Sequence, residues 1–372
     1  MKIAVVVPGG MDRTGEYRVI PVFLALIARL ARHHEVHVFV LHQEPLPATW
    51  QLAGATIHNI GEGWPRLRAI AAIRAEHRRA PFAMVHAIFS GSCSFVAVAA
   101  AKLLRIASLV HIAGGELVAF HSIGYGGRRR WKGRLREAIV LRMTDAVTAA
   151  SAPIIDALAA LGITGRRIPL GVDIAAWSPL PPRRRATPRA RLMHVASLNL
   201  VKDQTTLLRA LAALRDAGVD FQMDIVGVDT LQGKMDGLAR QLGLEGHVRF
   251  LGFRTQSELR PLIAASDLLV MSSIHEAGPL VLLEAAIAGV PTVGTAVGHI
   301  AEWSPSAALA VAVGDWVGLA TAIQRVLVDE TLRFRLAEAA QRRALAEDAD
   351  YTARAFEALY QELLARRGAV VA

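Results

Sequence analysis

The chain alternates short apolar runs with amphipathic stretches almost from end to end, and no other feature limits its fold so strongly. In the first half the runs are KIAVVV, EVHVFVL, MVHAIF, SLVHIAG, AVTAAS and RIPLGV. In the second they are RLMHVASL, FQMDIVG, VRFLGF, DLLVMSS, VPTVGT and LAVAVG. Between them lie stretches with helical spacing, such as IPVFLALIARLARHH and TTLLRALAALRDAG. Strands that alternate with helices predict an α/β chain with doubly wound parallel sheets. Near-continuous apolar strands fit sheets covered on both faces. At 372 residues the chain is too long for one ordinary core. The segment SPLPPRRRATPRARL, 178–192, is rich in proline and arginine and has no periodicity, so it reads as a linker between two Rossmann-like halves. The halves are expected to face each other across a cleft, with ligands beyond the carboxyl ends of the strands. A last helix, near 352–366, puts Phe356, Leu359, Tyr360, Leu363 and Leu364 on one stripe. It is expected to fold back over the N-terminal half.

Composition narrows the class. Apolar residues at 53% and charged residues at 20% mark a globular chain. The single cysteine, Cys93, excludes an intramolecular disulfide and a cysteine-cluster metal site, and favours a reducing compartment. The start MKIAVVVPGG is too short an apolar run for a signal peptide, and no stretch has the length of a membrane span. A cytoplasmic protein is expected. Its charge is lopsided: residues 1–200 carry 26 Lys and Arg against 11 Asp and Glu, a balance of +15, whereas residues 201–372 balance at −5. A basic half suits an anionic partner such as a phosphorylated substrate or an anionic membrane, although a GC-rich genome also favours arginine. The runs GGRRRWKGRLRE (126–137) and GEGWPRLRAI (61–70) read either as contacts with a membrane or lipid phosphate or as solvated faces. No nucleic-acid-binding module is recognisable, so no nucleic-acid partner is expected. GGMDRTG lacks the Lys-Ser/Thr of a phosphate loop.

The chemistry concentrates in SSIHEAGPLVLLEAAIAGVPTVGT, 272–295. DLLVMSS reads as a strand, and Pro279 suits the first turn of the helix that follows. Glu276 then lies on the loop before that helix and Glu284 about 1.4 turns into it. The free N–H groups near Gly278, Pro279 and Leu280 make a place for an anion or a hydroxyl, helped by the helix dipole. A carboxylate on such a helix can accept two ribose hydroxyls. A solvated loop glutamate and an outward-facing helical one would give the same pattern. The motif DAD, 348–350, stands just before the terminal helix and reads as capping or solvation rather than as a metal site.

The ordered set VASLNLVKDQTTLLRAL, MDIVG, VRFLGF and SSIHEAGPLVLLEAAIAGVPTVGTAVGHIAE resembles the C-terminal domain of retaining family 4 glycosyltransferases with the GT-B fold. Their signature is Glu-x7-Glu, the spacing of Glu276 and Glu284. The N-terminal half resembles that family too, through TGEYRVIPVFLALIARLARHHEVHVFVL, LVHIAGGELV and AVTAASAPIIDALAALG with RRIPLGVD. The resemblance implies an N-terminal acceptor domain over 1–178, a linker over 179–191, a nucleotide-sugar donor domain over 192–350 and a terminal helix over 351–372. It implies that Lys202 contacts the donor diphosphate, Glu284 the ribose and Glu276 the sugar near its reacting face. Gly278, Pro279 and Leu280 would offer backbone to the sugar, and Gly252 and Phe253 would stand beside the nucleobase. Gly15 matches the glycine of the first loop, with Gly9 and Gly10 competing for that role. His111 matches a histidine that reaches the transferred sugar. The family usually has Gly-Arg where this chain has Ala196-Ser197, which removes a guanidinium. The implied activity is retaining, metal-independent transfer of a sugar from a nucleotide-diphosphate donor to an acceptor hydroxyl, in cell-surface glycan, glycolipid or natural-product biosynthesis. No cofactor is expected beyond the nucleotide sugar. The acceptor is unspecified, with a lipid-linked or anionic one and contact with the inner membrane face in view. A sugar-nucleotide epimerase, a phosphorylase or a non-catalytic sugar-nucleotide-binding protein on the same architecture are the alternatives.

Overall fold

The computed structural model describes residues 1–371 and falls into two compact units. The first is Met1–Asp173 with the chain from Glu347 onward, and the second is Ile174–Ala346. The first contains β1 (Lys2–Val7), α1 (Pro21–Leu30), β2 (Glu35–Val40), β3 (Ala48–Leu52), β4 (Ala55–Asn59), α2 (Pro65–Arg79), β5 (Met84–Ile88), α3 (Ser92–Leu104), β6 (Ala107–Ile112), α4 (Trp131–Met143), β7 (Ala146–Ala149), α5 (Ala152–Ala159) and β8 (Arg166–Arg167). The second holds α6 (Ile174–Trp177), β9 (Ala190–Val195), α7 (Gln204–Asp216), β10 (Phe221–Val226), α8 (Lys234–Gln241), β11 (Val248–Gly252), α9 (Gln256–Ala264), β12 (Leu268–Met271), α10 (Leu280–Ile287), β13 (Thr292–Thr295), α11 (Gly298–Trp303), β14 (Leu309–Val311), α12 (Trp316–Val328) and α13 (Glu330–Ala346). The last helix, α14 (Ala349–Val371), returns to the first unit.

The first sheet runs β3-β4-β2-β1-β5-β6-β7-β8 and is parallel except for β3, which pairs antiparallel with β4. Every residue of β1, β5 and β6 is buried, as strands covered on both faces require. On one face α3 packs between α2 and α4. On the other, α14 packs on α1 and β6. Tyr360 of α14 meets His86 Nδ1 at 2.7 Å, and Phe356 packs against the rings of His86 and His111. The DAD acids serve this docking. Asp348 accepts from the Tyr351 amide at 2.7 Å and so caps α14, and Asp350 pairs with Arg29 of α1 at 2.5 Å.

The second sheet is wholly parallel, in the order β11-β10-β9-β12-β13-β14. Connections from β9 move outward to β10 and β11, and those from β12 move the opposite way. The direction therefore reverses between β9 and β12, and open α/β sheets bind ligands at the carboxyl ends of such a pair.

Two features depart from the sequence expectations. The β3–β4 hairpin has no strong signal in ATWQLAGATIHN: its turn, Ala53-Gly54, has φ of 52° and 77°, and alanine stands where Asn or Asp usually marks such a turn. The proline-rich segment is not a free linker. Leu180 N–H donates to the Ile287 carbonyl at 3.0 Å, and the Arg183 guanidinium donates to the Ala264 and Ser266 carbonyls. These bonds strap 179–191 onto the second unit, so the boundary falls at 173/174, ahead of α6, and the return at 346/347. Arg183 thus satisfies two carbonyls, which composition does not show.

Candidate functional site

The reversal point of the second sheet assembles the strongest polar cluster. After β9 the chain forms a turn held by Asn199, whose side-chain oxygen accepts from the amides of Val201 and Lys202 at 3.1 and 3.2 Å. After β12 it runs through Ser272 and Ser273. The two loops are laced together: Ser272 Oγ donates to the Lys202 carbonyl at 2.8 Å, and the Ile274 amide to the Val201 carbonyl at 2.8 Å. This lacing fixes the approach of two side chains from different strands. Lys202 Nζ lies 2.5 Å from Glu276 Oε1, which also accepts from Ser273 Oγ at 2.7 Å. Both groups are largely shielded yet not sealed from solvent.

Behind the pair stands His194, which the sequence reading did not single out. Its Nδ1 meets the Val270 carbonyl at 2.9 Å and its Nε2 lies 3.2 Å from Gln204 Nε2. The first contact needs a proton on Nδ1, so Nε2 accepts from the Gln204 amide. Burial pushes the imidazole down to about 4, so it is neutral at pH 7. Gln204 also donates to the Ser197 carbonyl at 3.2 Å. His194 and Gln204 thus fix the loop that carries Ala196-Ser197. Gly227 lets a second strand end approach it, because a Cβ there would lie 2.0 Å from the Ala196 carbonyl.

Pro279 is the residue before α10 rather than its first residue, and no side chain caps that helix. The amides that follow Gly278 and Pro279, beginning with Leu280, therefore open the helix toward the Glu276 loop. Glu284 lies further along α10 and is buried. Its Oε1 accepts from Gln256 Nε2 of α9 at 3.2 Å. Burial pushes its carboxyl up to about 7, opposed by the Gln256 bond and the Arg260 charge. Gly252 and Phe253 line a pocket of about 290 Å³ with Leu198, Ile225, Val228 and Phe250. Its apolar walls suit a flat ring. Lys202, Glu276, Ser197, the start of α10, Glu284 and the pocket all belong to the second unit.

The remaining candidates lie in the first unit. The Gly10 amide donates to Gln43 Oε1 at 2.8 Å and that of Gly15 to the Asp12 carbonyl at 3.0 Å, so both N–H groups hold the loop's own shape. His111 is enclosed by its surroundings. It is 0% exposed inside β6, its Nδ1 meets Thr148 Oγ1 at 2.9 Å, and burial pushes it down to about 3. With Phe356 against its ring it stands as a buried, neutral imidazole within the sheet. Period-two alternation does not reveal this, because β6 is apolar on both faces. Among the described residues no cluster of three or more His, Cys, Asp or Glu could hold a metal ion. No described helix is long and apolar enough to cross a membrane.

Comparison with known proteins gives concordant matches on both units. The family model "Glycosyl transferases group 1" matches residues 182–343, and "Glycosyltransferase Family 4" matches residues 22–176. The glycogen synthase of Mycobacterium tuberculosis is 32% identical over 238 residues, 62% of this chain and 57% of that enzyme. The chain spans a little over half the length of several of the curated relatives it matches. Among solved structures, a sucrose-phosphate synthase from Thermosynechococcus elongatus superposes with a TM-score of 0.81 at 20% identity, covering 98% of this chain and 100% of that one. HepE of Anabaena in complex with UDP-glucose gives 0.75 at 19% identity, with the same coverage. At such identities the likeness is one of fold, the GT-B fold with its two parallel-sheet domains.

Proposed function

Since the chain belongs to the glycosyltransferases of these two matched families, we propose that it moves a sugar from a nucleoside-diphosphate donor to an acceptor hydroxyl in glycan or glycolipid assembly, with retention at the anomeric carbon. The Lys202–Glu276 pair at the sheet's reversal point carries this reading. In the free protein the ammonium and carboxylate neutralise each other. A diphosphate brought to the same point competes for Lys202 and frees Glu276 to accept sugar hydroxyls. The pair thus holds both charges in place before the donor arrives, and preorganised charge is the main source of such catalysis.

The other groups follow from the same placement. The apolar pocket beside Gly252 and Phe253 takes the base. Glu284, one helix away, takes the ribose hydroxyls. The uncapped start of α10 and Lys202 meet the negative charge that develops as the nucleoside diphosphate departs. In this proposal protein groups, with no metal or cofactor, meet that charge. The hydroxyl beside Glu276, that of Ser273, is already bonded to it. Retention is therefore assigned to same-face displacement, with the leaving diphosphate placed to take the acceptor proton. We place the acceptor on the first unit and the protein in the cytoplasm, in contact with a membrane face.

Ala196-Ser197 supports a second reading, a sugar-nucleotide-binding protein without transfer, because a cation usual in the family is missing. A thermal-shift panel of nucleoside diphosphates, followed by turnover assays, separates the two. The matching nucleotide at 100 times its dissociation constant should add about 2.7 kcal/mol of stability. No shift with any nucleotide would overturn both readings, and a shift without transfer to any acceptor would favour the second.

A further inference from the structure

The helix α4 has two apolar faces where a surface helix needs one. Glu137, Val140 and Leu141 turn inward and are buried. On the opposite side Trp131, Leu135, Ile139 and Met143 recur every fourth residue and are 62, 54, 48 and 46% exposed. At 1.5 Å per residue this ridge runs about 18 Å along the helix. Single exposed apolar residues are ordinary, but four in register over the whole length of one helix are not. On a helical projection Arg134 and Arg136 fall on either side of the ridge, and Lys132 and Arg142 fall within its width. Residues 126–143 carry seven Lys and Arg and one acid, Glu137. That acid is already matched by Arg128 at 3.1 Å, which also takes Arg128 out of the set of free cations.

The helix α2, on the far side of α3, repeats the pattern at its start. A helix that follows a parallel strand starts at the carboxyl edge of the sheet, so α2, α3 and α4 all start there. Trp64, at the start of α2, is 79% exposed, and Leu67 beside it is exposed too, with Arg66 and Arg68 interleaved. Two tryptophans with neighbouring arginines thus stand at one edge, two helix spacings or about 20 Å apart. Apolar residues ringed by fixed positive charge match one surface in particular, a bilayer interface with anionic headgroups: the ridge enters the acyl boundary and the guanidinium groups stay among the phosphates.

We infer that the outer face of α4, with the tryptophan at the start of α2, docks the first unit on an anionic lipid surface, α4 lying in the interface plane. The carboxyl edge of this unit's sheet then stands at the headgroup level, where a lipid-linked acceptor would present its hydroxyl. That last consequence, and only that, rests on the transferase reading above.

Flotation with the full chain tests the inference, using phosphatidylcholine vesicles with and without phosphatidylglycerol. Wild type should bind the anionic vesicles, less so at high salt. Leu135→Ser with Ile139→Ser should lower partition at least tenfold, since each side chain buried in the acyl boundary is worth about a factor of ten. Arg129→Gln, Arg130→Gln, Lys132→Gln and Arg134→Gln together should remove the dependence on phosphatidylglycerol. Both variants should melt and bind nucleoside diphosphate as wild type does, since that site lies in the other unit. Wild type that ignores anionic vesicles, or binding that survives both variants, would overturn the inference. So would self-association that the Leu135 and Ile139 changes abolish, which would give the ridge to a second copy of the chain. Transfer to a soluble acceptor without vesicle binding would sink this inference alone. Vesicle binding without nucleotide binding would sink the transferase reading and leave the docking face standing.

Discussion

Lys202→Ala should lower turnover at saturating donor by about 100- to 1000-fold, the usual loss when one preorganised partner of developing charge is removed. The reason lies in the missing guanidinium. With serine at 197, Lys202 is the side-chain cation that the two laced loops deliver to the reversal point. Its partner makes the effect readable. In the free protein Lys202 Nζ sits on Glu276, so truncating the lysine leaves Glu276 with only Ser273 from that pair of contacts. The variant therefore loses charge at the phosphate and gains a carboxylate that repels it. Ser197→Arg should act the opposite way and tighten nucleoside-diphosphate binding. Near-normal turnover in Lys202→Ala would move the phosphate site elsewhere.

Glu284→Gln should weaken nucleotide binding by about 10- to 100-fold while making the free protein more stable. A hydroxyl donating to a carboxylate is worth about 1.5–3 kcal/mol, and the amide surrenders that charge. The stability effect comes from burial, which raises the carboxyl from 4.5 to about 7. Between those values the folded protein holds a proton that the unfolded chain has lost, so stability falls as pH rises. The favourable contribution is complete below about 4.5 and is lost as pH rises through about 7. Relative to Glu284→Gln, wild type should then be less stable by about 3 kcal/mol above pH 7 and no different below pH 4.5. Denaturant titrations across that range check this. Parallel stability curves together with unchanged affinity would remove Glu284 from the site.

The sequence showed most of the architecture because strands buried on both faces leave near-continuous apolar runs that no surface element imitates. An ordered set of motifs singled out Glu276, Glu284 and Lys202 as candidates, and the structure joins the first and last of these in an ion pair. Other features depend on contacts that no local pattern records. His194 reads as one more residue of a β-strand until Val270 and Gln204 are seen on its two nitrogens. His111 looks the same in sequence, but its place within β6 makes it core. Arg183 looks solvated until its carbonyl partners appear. The ridge on α4 is hidden for the opposite reason: apolar residues on both sides of a helix blur its periodicity.

The most direct test compares the affinity of a nucleoside diphosphate with that of its monophosphate, in wild type and in Lys202→Ala, by calorimetry. If Lys202 receives the terminal phosphate at the end of β9, wild type should prefer the diphosphate by about tenfold or more. Lys202→Ala should lose that preference and bind the monophosphate as before. A variant that still prefers the diphosphate to the same degree would contradict the assignment of the diphosphate to the Lys202–Glu276 pair.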